Sequence, residues 1–413
     1  VARPRVGLVL SGGGARGLAH VGVLKVLEEA RIPVDAIAGT SMGAVAGGLY
    51  AAGMSAAEIE TLVRTLDWNA AFQDSPPREE LNYRRKQEER QFLVRLPVGF
   101  GRDGFRLPRG LIQGQRLTQI LRQRTLAVAG VEDFDRLPIP FRAIATDIES
   151  GEPVVLAGGD LTTALRASMS APGLFAPVEV EGRLLVDGGL VGNLPVDAAQ
   201  AMGVDVLIAV DVGFKPQARE QLASALSVSN QMIAVMIRRE TQRQLEQLRP
   251  GDVLIEPELG AFGSLEFQRT AQMIALGEAA ARAALPRLEA LALPPEEWLR
   301  LGVARERRRG PPPVEFIRAA PGSERHAPAI EAALARAVGR PADSRSLERG
   351  ISRLYGDGYH DTVDYRVVEE DGRSGIEVAV RPRSWGPNFL RFGLELQDDF
   401  EGGSSFNAGL RVL

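Results

Sequence analysis

Short apolar runs alternate with amphipathic stretches along the first 300 residues of the chain. The apolar runs, which we interpret as strands, are Val6–Leu10, Val34–Gly39, Phe141–Ala145, Val154–Leu156, Leu184–Val186 and Val204–Val210. The stretches with helical periodicity are Leu18–Ala30, Met42–Ala52, Ser224–Gln247 and Thr270–Leu285, and we expect Pro286 to end or kink the last of them. This alternation is typical of a mostly parallel sheet covered by helices on both faces, so it predicts a three-layer α/β/α sandwich.

The alternation is interrupted between residues 73 and 114, in a stretch rich in Arg and Pro. Phe92, Leu93, Phe100 and Phe105 are dispersed among these charges. One interpretation is a surface excursion with a solvated charged face. The other is a lid, or a segment that rests on a membrane with its arginines at the lipid phosphates. The pattern leaves both interpretations open.

The chain divides at a linker that we place at residues 305–313, where four arginines precede Gly310 and three prolines. Residues 1–304 then form the first domain, and residues 314–383 form a small α+β domain. The small domain has the predicted order strand, helix, helix, strand, strand, at Val314–Arg318, Ala327–Val338, Ser346–Arg353, Thr362–Glu369 and Gly375–Arg381.

Residues 384–413 contain two segments in which apolar and polar side chains alternate strictly. The apolar positions are Leu390, Phe392, Leu394 and Leu396 in the first segment and Phe406, Ala408, Leu410 and Val412 in the second. A hairpin with one apolar and one polar face is typical of transmembrane β-barrels, so we expect the first strands of a barrel that is missing beyond residue 413. The alternative is a terminal hairpin packed on the small domain. Because the chain starts at Val1, we also expect that an upstream segment has been removed.

The amino-acid composition excludes several classes of catalytic and metal site. The 413 residues include no Cys and only three His, at positions 20, 326 and 360. These counts exclude cysteine nucleophiles, disulfides and zinc–thiolate sites, and they argue against polyhistidine metal sites. The net charge of −4 lacks the basic excess of nucleic-acid-binding proteins. We therefore expect no metal and no nucleic-acid partner.

Ser41 lies in Gly39-Thr40-Ser41-Met42-Gly43, a G-x-S-x-G sequence between a predicted strand and a predicted helix. Such a turn presents the serine at the end of the strand, and its glycines avoid clashes in a crowded backbone. The helix that begins at Met42 would direct its positive end at an attacked carbonyl. Ser41 is therefore a candidate nucleophile, although a serine at this position could simply cap the helix.

A second glycine-rich turn, Gly12-Gly13-Gly14-Ala15-Arg16-Gly17, follows the first predicted strand. It fits the G-x-G-x-x-G dinucleotide fingerprint, but the acidic residue expected at the end of the second strand is absent. Alternatively, its N–H groups form a nest that can stabilise an oxyanion. Parallel strands end at the same edge of a sheet, so we expect this glycine loop to lie beside Ser41. That juxtaposition favours acyl-transfer chemistry.

The few histidines leave a carboxylate as the better candidate for the base. His326 and His360 lie beyond the linker, and we place His20 on the solvated side of the first helix. Asp187, in Val186-Asp187-Gly188-Gly189, ends a predicted strand before a tight turn. An aspartate can take the serine proton directly, and burial would raise its pKa to a useful value. The alternative for this residue is a simple Asp-Gly turn.

Together, these three motifs resemble the signatures of patatin-like phospholipases, and residues 166–173 resemble a fourth block of that family. The resemblance covers about residues 5–215, with Gly189 where many relatives carry alanine. It implies a Ser41–Asp187 dyad, support from Arg16, and hydrolysis of lipid acyl esters without a metal or organic cofactor. The implied oxyanion hole comprises Gly12, Gly13 and Gly14, and the supporting motif glycines are Gly17, Gly39, Gly43, Gly188 and Gly189.

The small domain resembles a POTRA domain in its element order and at residues 354–359, Leu-Tyr-Gly-Asp-Gly-Tyr. Patatin, POTRA and barrel is the order found in PlpD-like patatin autotransporters of the type V secretion class. This resemblance implies an export signal and contact with a membrane surface. It also implies that the protein is secreted, or is located at the cell surface or outer membrane of a Gram-negative bacterium. Helices such as Ser224–Gln247 could also pair two copies into a homodimer.

The sequence thus predicts a phospholipase of the A class that acts on phospholipid or fatty-acyl esters, with the choice between the A1 and A2 positions open. Three alternatives stay open beside it. The first is a catalytically idle passenger that binds lipid or protein. The second is a nucleotide-dependent oxidoreductase that uses the glycine loop. The third is acyl transfer to an acceptor other than water, which would use the same residues.

Overall fold

A computed structural model describes residues 3–74, 98–101, 104–106, 110–214, 219, 222–306, 312–342, 344–356, 360–383, 388–398 and 404–412. The chain forms two compact units. Unit 1 comprises Val1–Ala71, Leu121–Pro172 and Pro177–Pro311, and unit 2 comprises Phe72–Ile120, Gly173–Ala176 and Pro312–Leu413. All predicted site residues lie in unit 1.

The strands of both units are numbered in chain order. They are β1 (Val6–Leu10), β2 (Ala36–Thr40), β3 (Val98–Gly101), β4 (Gly104–Arg106), β5 (Phe141–Asp147), β6 (Pro153–Leu156), β7 (Val178–Val180), β8 (Arg183–Asp187), β9 (Val206–Val210), β10 (Val253–Ile255), β11 (Pro313–Val314), β12 (Phe316–Ala319), β13 (Arg340–Pro341), β14 (His360–Glu370), β15 (Arg373–Pro382), β16 (Asn388–Asp398) and β17 (Ser404–Val412).

The α-helices follow the same numbering. They are α1 (Ala19–Glu29), α2 (Met42–Ala51), α3 (Ala56–Thr65), α4 (Trp68–Ala71), α5 (Gln115–Thr125), α6 (Leu161–Ser168), α7 (Gly189–Gly192), α8 (Val196–Gln200), α9 (Ala225–Leu245), α10 (Thr270–Leu288), α11 (Pro295–Glu306), α12 (Ala327–Leu334) and α13 (Ser344–Gly356). A short 3-10 helix, Gly14–Leu18, precedes α1.

The central sheet of unit 1 has the order β10-β9-β1-β2-β5-β8-β7, with β6 paired to β5. Strands β10, β9, β1, β2 and β5 are parallel, whereas β8 runs antiparallel to β5 and β7 antiparallel to β8. Every residue of β1 and β2 is buried, which explains why both strands appear in the sequence as short apolar runs without polar alternation. The predicted mostly parallel sheet is confirmed.

Helices cover this sheet on both faces. On one face, Gly47 of α2 lies against Ile37 and Leu10. On the other face, Ala36 and Ala38 belong to a core cluster with residues of α8. Because neighbouring residues of a strand point to opposite faces, these contacts show the three layers that the alternation predicts.

Most predicted elements differ from the observed ones by a few residues at their ends, and two of these differences have a clear physical reason. Helix α10 continues past Pro286 to Leu288. A proline in the last turn removes a single hydrogen bond, and the fully buried Leu288 keeps the end of the helix against the core. Helix α11 extends into the expected linker, because Arg305 is helical and donates a hydrogen bond to the Val34 carbonyl oxygen. Residues 307–311 lie outside the described residues.

Between residues 312 and 383, unit 2 contains the predicted order of elements, except that the predicted strand Val314–Arg318 is divided into β11 and β12. Strands β12, β15 and β14 form a sheet in that order, with α12 and α13 between β12 and β14 in the chain. The short antiparallel pair of β11 and β13 was not predicted. The assignment of this region as a POTRA domain stays a prediction.

The predicted terminal hairpin is present as β16 and β17, which pair antiparallel from Leu390 opposite Val412 to Asp398 opposite Ser404. Strand β16 also pairs with β3, and β3 pairs with β4, where Phe100 lies opposite Phe105. Part of the stretch between residues 73 and 114 is therefore a hairpin, which the sequence did not predict, whereas Phe92 and Leu93 lie outside the described residues. None of the described helices is both long and apolar enough to cross a bilayer.

Candidate active site

Ser41 occupies a sharp turn between β2 and α2. Its backbone has φ 54° and ψ −123°, a conformation that is costly for a residue with a Cβ. A Cβ on Gly39 would lie 2.6 Å from the Gly43 carbonyl oxygen, and one on Gly43 would lie 2.3 Å from the Leu10 carbonyl oxygen. Both glycines are therefore required for the turn, as the G-x-S-x-G pattern predicts.

The structure brings Ser41 and Asp187 together. Ser41 Oγ donates a hydrogen bond of 2.6 Å to Asp187 Oδ2. Asp187 is the last residue of β8, which pairs with β5, and the other carboxylate oxygen accepts a 2.8 Å hydrogen bond from the Gly189 N–H. A Cβ on Gly188 would lie 2.2 Å from the Ile144 carbonyl oxygen, so this turn also requires glycine. The side chains meet although 146 positions separate them in the chain.

The environment of Asp187 makes it an unusually strong base for an aspartate. Burial raises its pKa to about 6, although the hydrogen bonds from Ser41 and Gly189 act in the opposite direction. Near neutral pH the carboxylate is therefore ionised and still has appreciable affinity for a proton. A general base that works directly on a serine hydroxyl needs both properties.

The end of α6 and the residues directly after it position both Ser41 and Asp187. The Ser41 N–H donates to Ser168 Oγ at 2.9 Å, and Ser168 Oγ donates to the Ile144 carbonyl oxygen at 2.6 Å. The Asp187 N–H donates to the Ser170 carbonyl oxygen at 2.9 Å. This is the segment 166–173 that the sequence singles out only through its family resemblance. The roles of Ser168 and Ser170 were not predicted, because they depend on contacts across the fold.

The glycine loop lies beside Ser41, as predicted. A Cβ on Gly12 would lie 3.1 Å from Ser41 Cβ. The Gly12 N–H, however, donates to the Asn193 carbonyl oxygen at 3.1 Å. The prediction of Gly12 as an oxyanion donor is therefore wrong, since its only donor is already engaged. The N–H groups of Gly13 and Gly14 have no acceptor among the described residues, which leaves these two glycines as candidate donors.

Arg16 is buried and braces the glycine loop from the side. Its guanidinium group donates four hydrogen bonds, of 2.8 to 3.2 Å, to main-chain carbonyl oxygens. The acceptors are Val212, Gly213, Gly260 and Phe262. A Cβ on Gly17 would lie 2.5 Å from Met42 Cγ, so the loop also packs tightly against the first residue of α2. Arg16 and Gly17 thus hold the loop in place, which agrees with the supporting role that the resemblance implies.

Comparison with known proteins identifies the part of the chain that carries this site. Residues 8–200 match the family model of patatin-like phospholipases. These residues are a patatin-like phospholipase domain. The match includes the glycine loop, the turn at Ser41 and the turn at Asp187.

Curated relatives share the patatin-like domain over part of their length. An uncharacterised NTE-family protein of Mycobacterium tuberculosis is 35% identical over 209 residues, which make up 51% of this chain and 49% of that protein. The lysophospholipase nte1 of Aspergillus fumigatus is 32% identical over 316 residues, 70% of this chain and 19% of that protein. The chain thus spans half or less of the length of these relatives. The crystal structure of VipD from Legionella pneumophila shares 15% identity at a TM-score of 0.37, covering 70% of this chain and 68% of that one.

His20 lies inside the patatin-like domain and not on its surface. The side chain is fully buried, and Nε2 lies 2.8 Å from the Ser11 carbonyl oxygen. Burial lowers the pKa of His20 to about 4, so the imidazole is neutral and donates this hydrogen bond. The predicted solvated position is wrong because α1 is covered by α10, where Gly277 packs against the Ala19 carbonyl. His326 and His360 lie in unit 2, with ring centroids 4.9 Å apart.

Asn193 is a further residue of the patatin-like domain that sequence reasoning missed. Its backbone carbonyl holds the Gly12 N–H, and its buried side chain donates to Thr241 Oγ1 at 3.5 Å. Asn193 Oδ1 would lie 2.6 Å from a Cβ on Gly12 and 3.2 Å from one on Gly189. Asn193 therefore separates the glycine loop from the Asp187 turn. In the sequence, the only local indication that Asn193 belongs to the site is its position six residues after Asp187.

Proposed function

We propose that the chain is a serine lipid acyl hydrolase of the phospholipase A class, in which Ser41 is the nucleophile and Asp187 its general base. The observation that carries this proposal is the 2.6 Å hydrogen bond from Ser41 Oγ to Asp187 Oδ2, at a turn whose serine has a strained positive φ. The patatin-like domain and the similarity to a protein named lysophospholipase support a phospholipid substrate.

Acylation would proceed by attack of Ser41 Oγ on the acyl carbonyl carbon while the hydroxyl proton passes to Asp187. The carbonyl π electrons move to the oxygen and give a tetrahedral oxyanion. Collapse of this intermediate breaks the bond to the alcohol, which takes the proton from Asp187 and leaves. The acyl group is then esterified to Ser41, and Asp187 is again ionised.

Deacylation would repeat these steps with water. Asp187 takes a proton from water as its oxygen attacks the ester carbonyl carbon, and the bond to Ser41 Oγ breaks when that oxygen regains the proton. The products are a fatty acid and the free Ser41. Because one carboxylate serves both half-reactions, a pKa of about 6 suits the exchange of a proton near neutral pH.

Oxyanion stabilisation falls to the N–H groups of Gly13 and Gly14. Both stand at the start of the 3-10 helix that leads into α1, next to the Gly12 position beside Ser41. Gly14 has φ +56°, and a Cβ there would lie 2.4 Å from the Ser264 carbonyl oxygen. A side chain would therefore displace this loop from the reacting carbonyl.

A fluorophosphonate probe tests the nucleophile directly. We expect the probe to label Ser41, as mapped by peptide mass spectrometry, and Ser41→Ala to abolish both labelling and release of fatty acid from phospholipid. Ser150→Ala, in an exposed turn of the same unit, is the matched control and should behave like the parent. Labelling at another serine, or hydrolysis by Ser41→Ala, would refute the proposal. A phospholipid with two different acyl chains then reports the ester position through the mass of its products.

We further propose that unit 2 exports the patatin-like domain, with residues 314–383 as a POTRA domain and the terminal hairpin as part of an outer-membrane barrel. The alternating faces of β16 and β17 and their antiparallel register support this proposal. Fractionation of cells that make the natural protein is the test. Recovery in the outer membrane or the medium is expected, and recovery in the cytosol alone would contradict it.

A further inference from the structure

One face of helix α9 contacts the residues around the candidate active site. Ile237 Cδ1 lies 3.9 Å from where a Cβ on Gly189 would stand. Thr241 Oγ1 accepts the hydrogen bond from the Asn193 side chain, and Arg238 forms an ion pair of 3.0 Å with Asp211. These contacts hold α9 beside the turn that carries Asp187.

The opposite face of α9 exposes a continuous apolar stripe. It consists of Val228, Met232, Val235 and Met236, whose exposed fractions are 45%, 63%, 46% and 59%. Their spacing of three and four positions places them on one side of the helix. The stripe is about 12 Å long at a rise of about 1.5 Å per residue. The first 13 residues of α9 contain no charged side chain, so the stripe itself offers no partner for an ion pair.

Two arginines extend the same side of α9 towards its C-terminal end. Arg239 follows Val235 by four positions, and Arg243 follows Arg239 by four. Arg239 is exposed and forms no ion pair within the described residues, whereas the exposed Arg243 is bound to Glu240 at 2.9 Å. The outer face therefore passes from apolar to basic along one line, which complements a lipid surface with buried acyl chains and anionic phosphates.

A further exposed apolar side chain flanks the site on the side of the glycine loop. Leu265 is 61% exposed and follows Ser264, whose carbonyl oxygen accepts the Ala15 N–H at 2.8 Å. Apolar side chains thus project to solvent from segments that touch either side of the Ser41 site. Exposed apolar side chains of this kind can enter the boundary between headgroups and acyl chains of a bilayer.

We propose that the outer face of α9, with residues Val228, Met232, Val235, Met236, Arg239 and Arg243, docks the patatin-like domain on an anionic phospholipid bilayer. The inference rests on the proposed function, because a lipid substrate supplies the reason for docking beside the site. The apolar stripe enters the acyl region, and the two arginines meet the phosphates.

Pairing of two copies along this stripe is less favourable. An antiparallel pair would bury Arg239 and Arg243 against the apolar stripe of the other copy, and a parallel pair would bring the like charges together. A bilayer accommodates both parts of the face at once, since long arginine side chains reach the headgroups from an apolar contact. Charge complementarity therefore favours the lipid surface.

Cosedimentation with vesicles of phosphatidylglycerol and phosphatidylcholine tests the docking. The full chain carries Ser41→Ala in every sample, so that binding is measured without hydrolysis. The pair Met232→Ser and Met236→Ser should weaken partitioning at least about tenfold, because each exposed side chain loses its transfer to the acyl region. The matched control is Leu299→Ser with Val303→Ser, a pair at the same spacing on α11 with exposures of 67% and 54%. It should change partitioning less than about twofold.

Two further measurements decide between the outcomes. Met232→Trp should add fluorescence that brominated acyl chains quench, beyond any quenching of the three native tryptophans in the parent, and absence of this added quenching would overturn the proposal. Unchanged partitioning of the double serine variant would also overturn it, as would a fall in its solution mass from dimer to monomer, which would assign the stripe to a second copy. If the protein without Ser41→Ala hydrolysed no ester, the proposed function would fail while the partition data would still decide the docking.

Discussion

Two aspartates near the ends of secondary-structure elements of unit 1, Asp160 and Asp187, have pKa values shifted in opposite directions. Asp160 caps α6 by accepting the Thr163 N–H at 2.8 Å, and it pairs with Arg122, whose side chain is 2% exposed. Burial alone would raise its pKa, but Arg122 and Thr163 outweigh burial and lower it. Asp187 has hydrogen bonds from Ser41 and Gly189 and no cation partner among the described residues. Burial prevails there and raises the pKa to about 6.

The comparison shows that burial by itself does not decide what an aspartate does. Where a guanidinium group is buried beside the carboxylate, the carboxylate stays ionised, and loss of either partner would leave the other charge buried without compensation. Where only neutral donors face the carboxylate, it keeps an affinity for protons that chemistry can use. The difference between Asp160 and Asp187 is therefore the difference between a structural and a reactive carboxylate.

The largest expected effect is a difference in ester hydrolysis between substitutions at Asp187 and at Asp160. Asp187→Asn should lower kcat for ester hydrolysis about a thousandfold or more, because an amide cannot accept the serine proton. Asp160→Asn should retain activity when assayed at a temperature where it is folded. Both rates follow from fatty-acid release under saturating substrate. Near-normal turnover by Asp187→Asn would end the dyad hypothesis.

The second effect concerns stability, where the substitution at Asp160 should matter. Asp160→Asn should reduce the free energy of unfolding by about 3 kcal/mol, because it leaves the buried Arg122 facing a neutral side chain. The matched control is Asp135→Asn, which removes a more exposed pair with Arg142 and should cost less than about 1 kcal/mol. Urea unfolding measures both. Equal losses for the two variants would show that burial of the Asp160 pair is unimportant.

The smallest effect is a dependence on pH. The proposed base must be ionised, so kcat/KM should fall about tenfold per pH unit below the pKa of Asp187, which is about 6. Asp160 should contribute nothing to this fall, since its pKa lies below the ordinary value. A rate profile from pH 4.5 to 8 on a soluble ester measures it. A midpoint near 4 would indicate that Asp187 behaves as an ordinary aspartate.

The local part of this site could be predicted from the sequence. Three local features make up this part: the turn at Ser41, the turn at Asp187 and the glycine loop. Each follows a strand and contains glycines whose missing Cβ avoids a clash. Both properties can be recognised in a short stretch of sequence. Parallel strands that end at one edge then made their proximity predictable. Hydrophobic periodicity predicted the longer strands and helices around the site in the same way, but not the short elements such as β3, β4, β11 and β13.

The remaining features depend on partners far away in the chain. Gly12 could not be excluded as a donor without knowing that Asn193 accepts its N–H, 181 positions later. His20 lies among residues that gave α1 a polar side in the sequence, but α10 covers it. The pairing of β3 with β16 joins segments separated by almost 290 positions. Contacts of this kind leave no periodic signal in the residues that make them.

The buried imidazole of His20 offers a magnetic-resonance reporter for the glycine loop. With a pKa of about 4 it keeps one protonation state through the range in which Asp187 gains its proton, and it bonds to the carbonyl of Ser11, directly before Gly12. The chain has only three histidines, so their ring signals can be resolved and assigned. A shift of the His20 ring resonance above pH 5 would therefore register movement of the loop itself, free of any contribution from titration of its own ring.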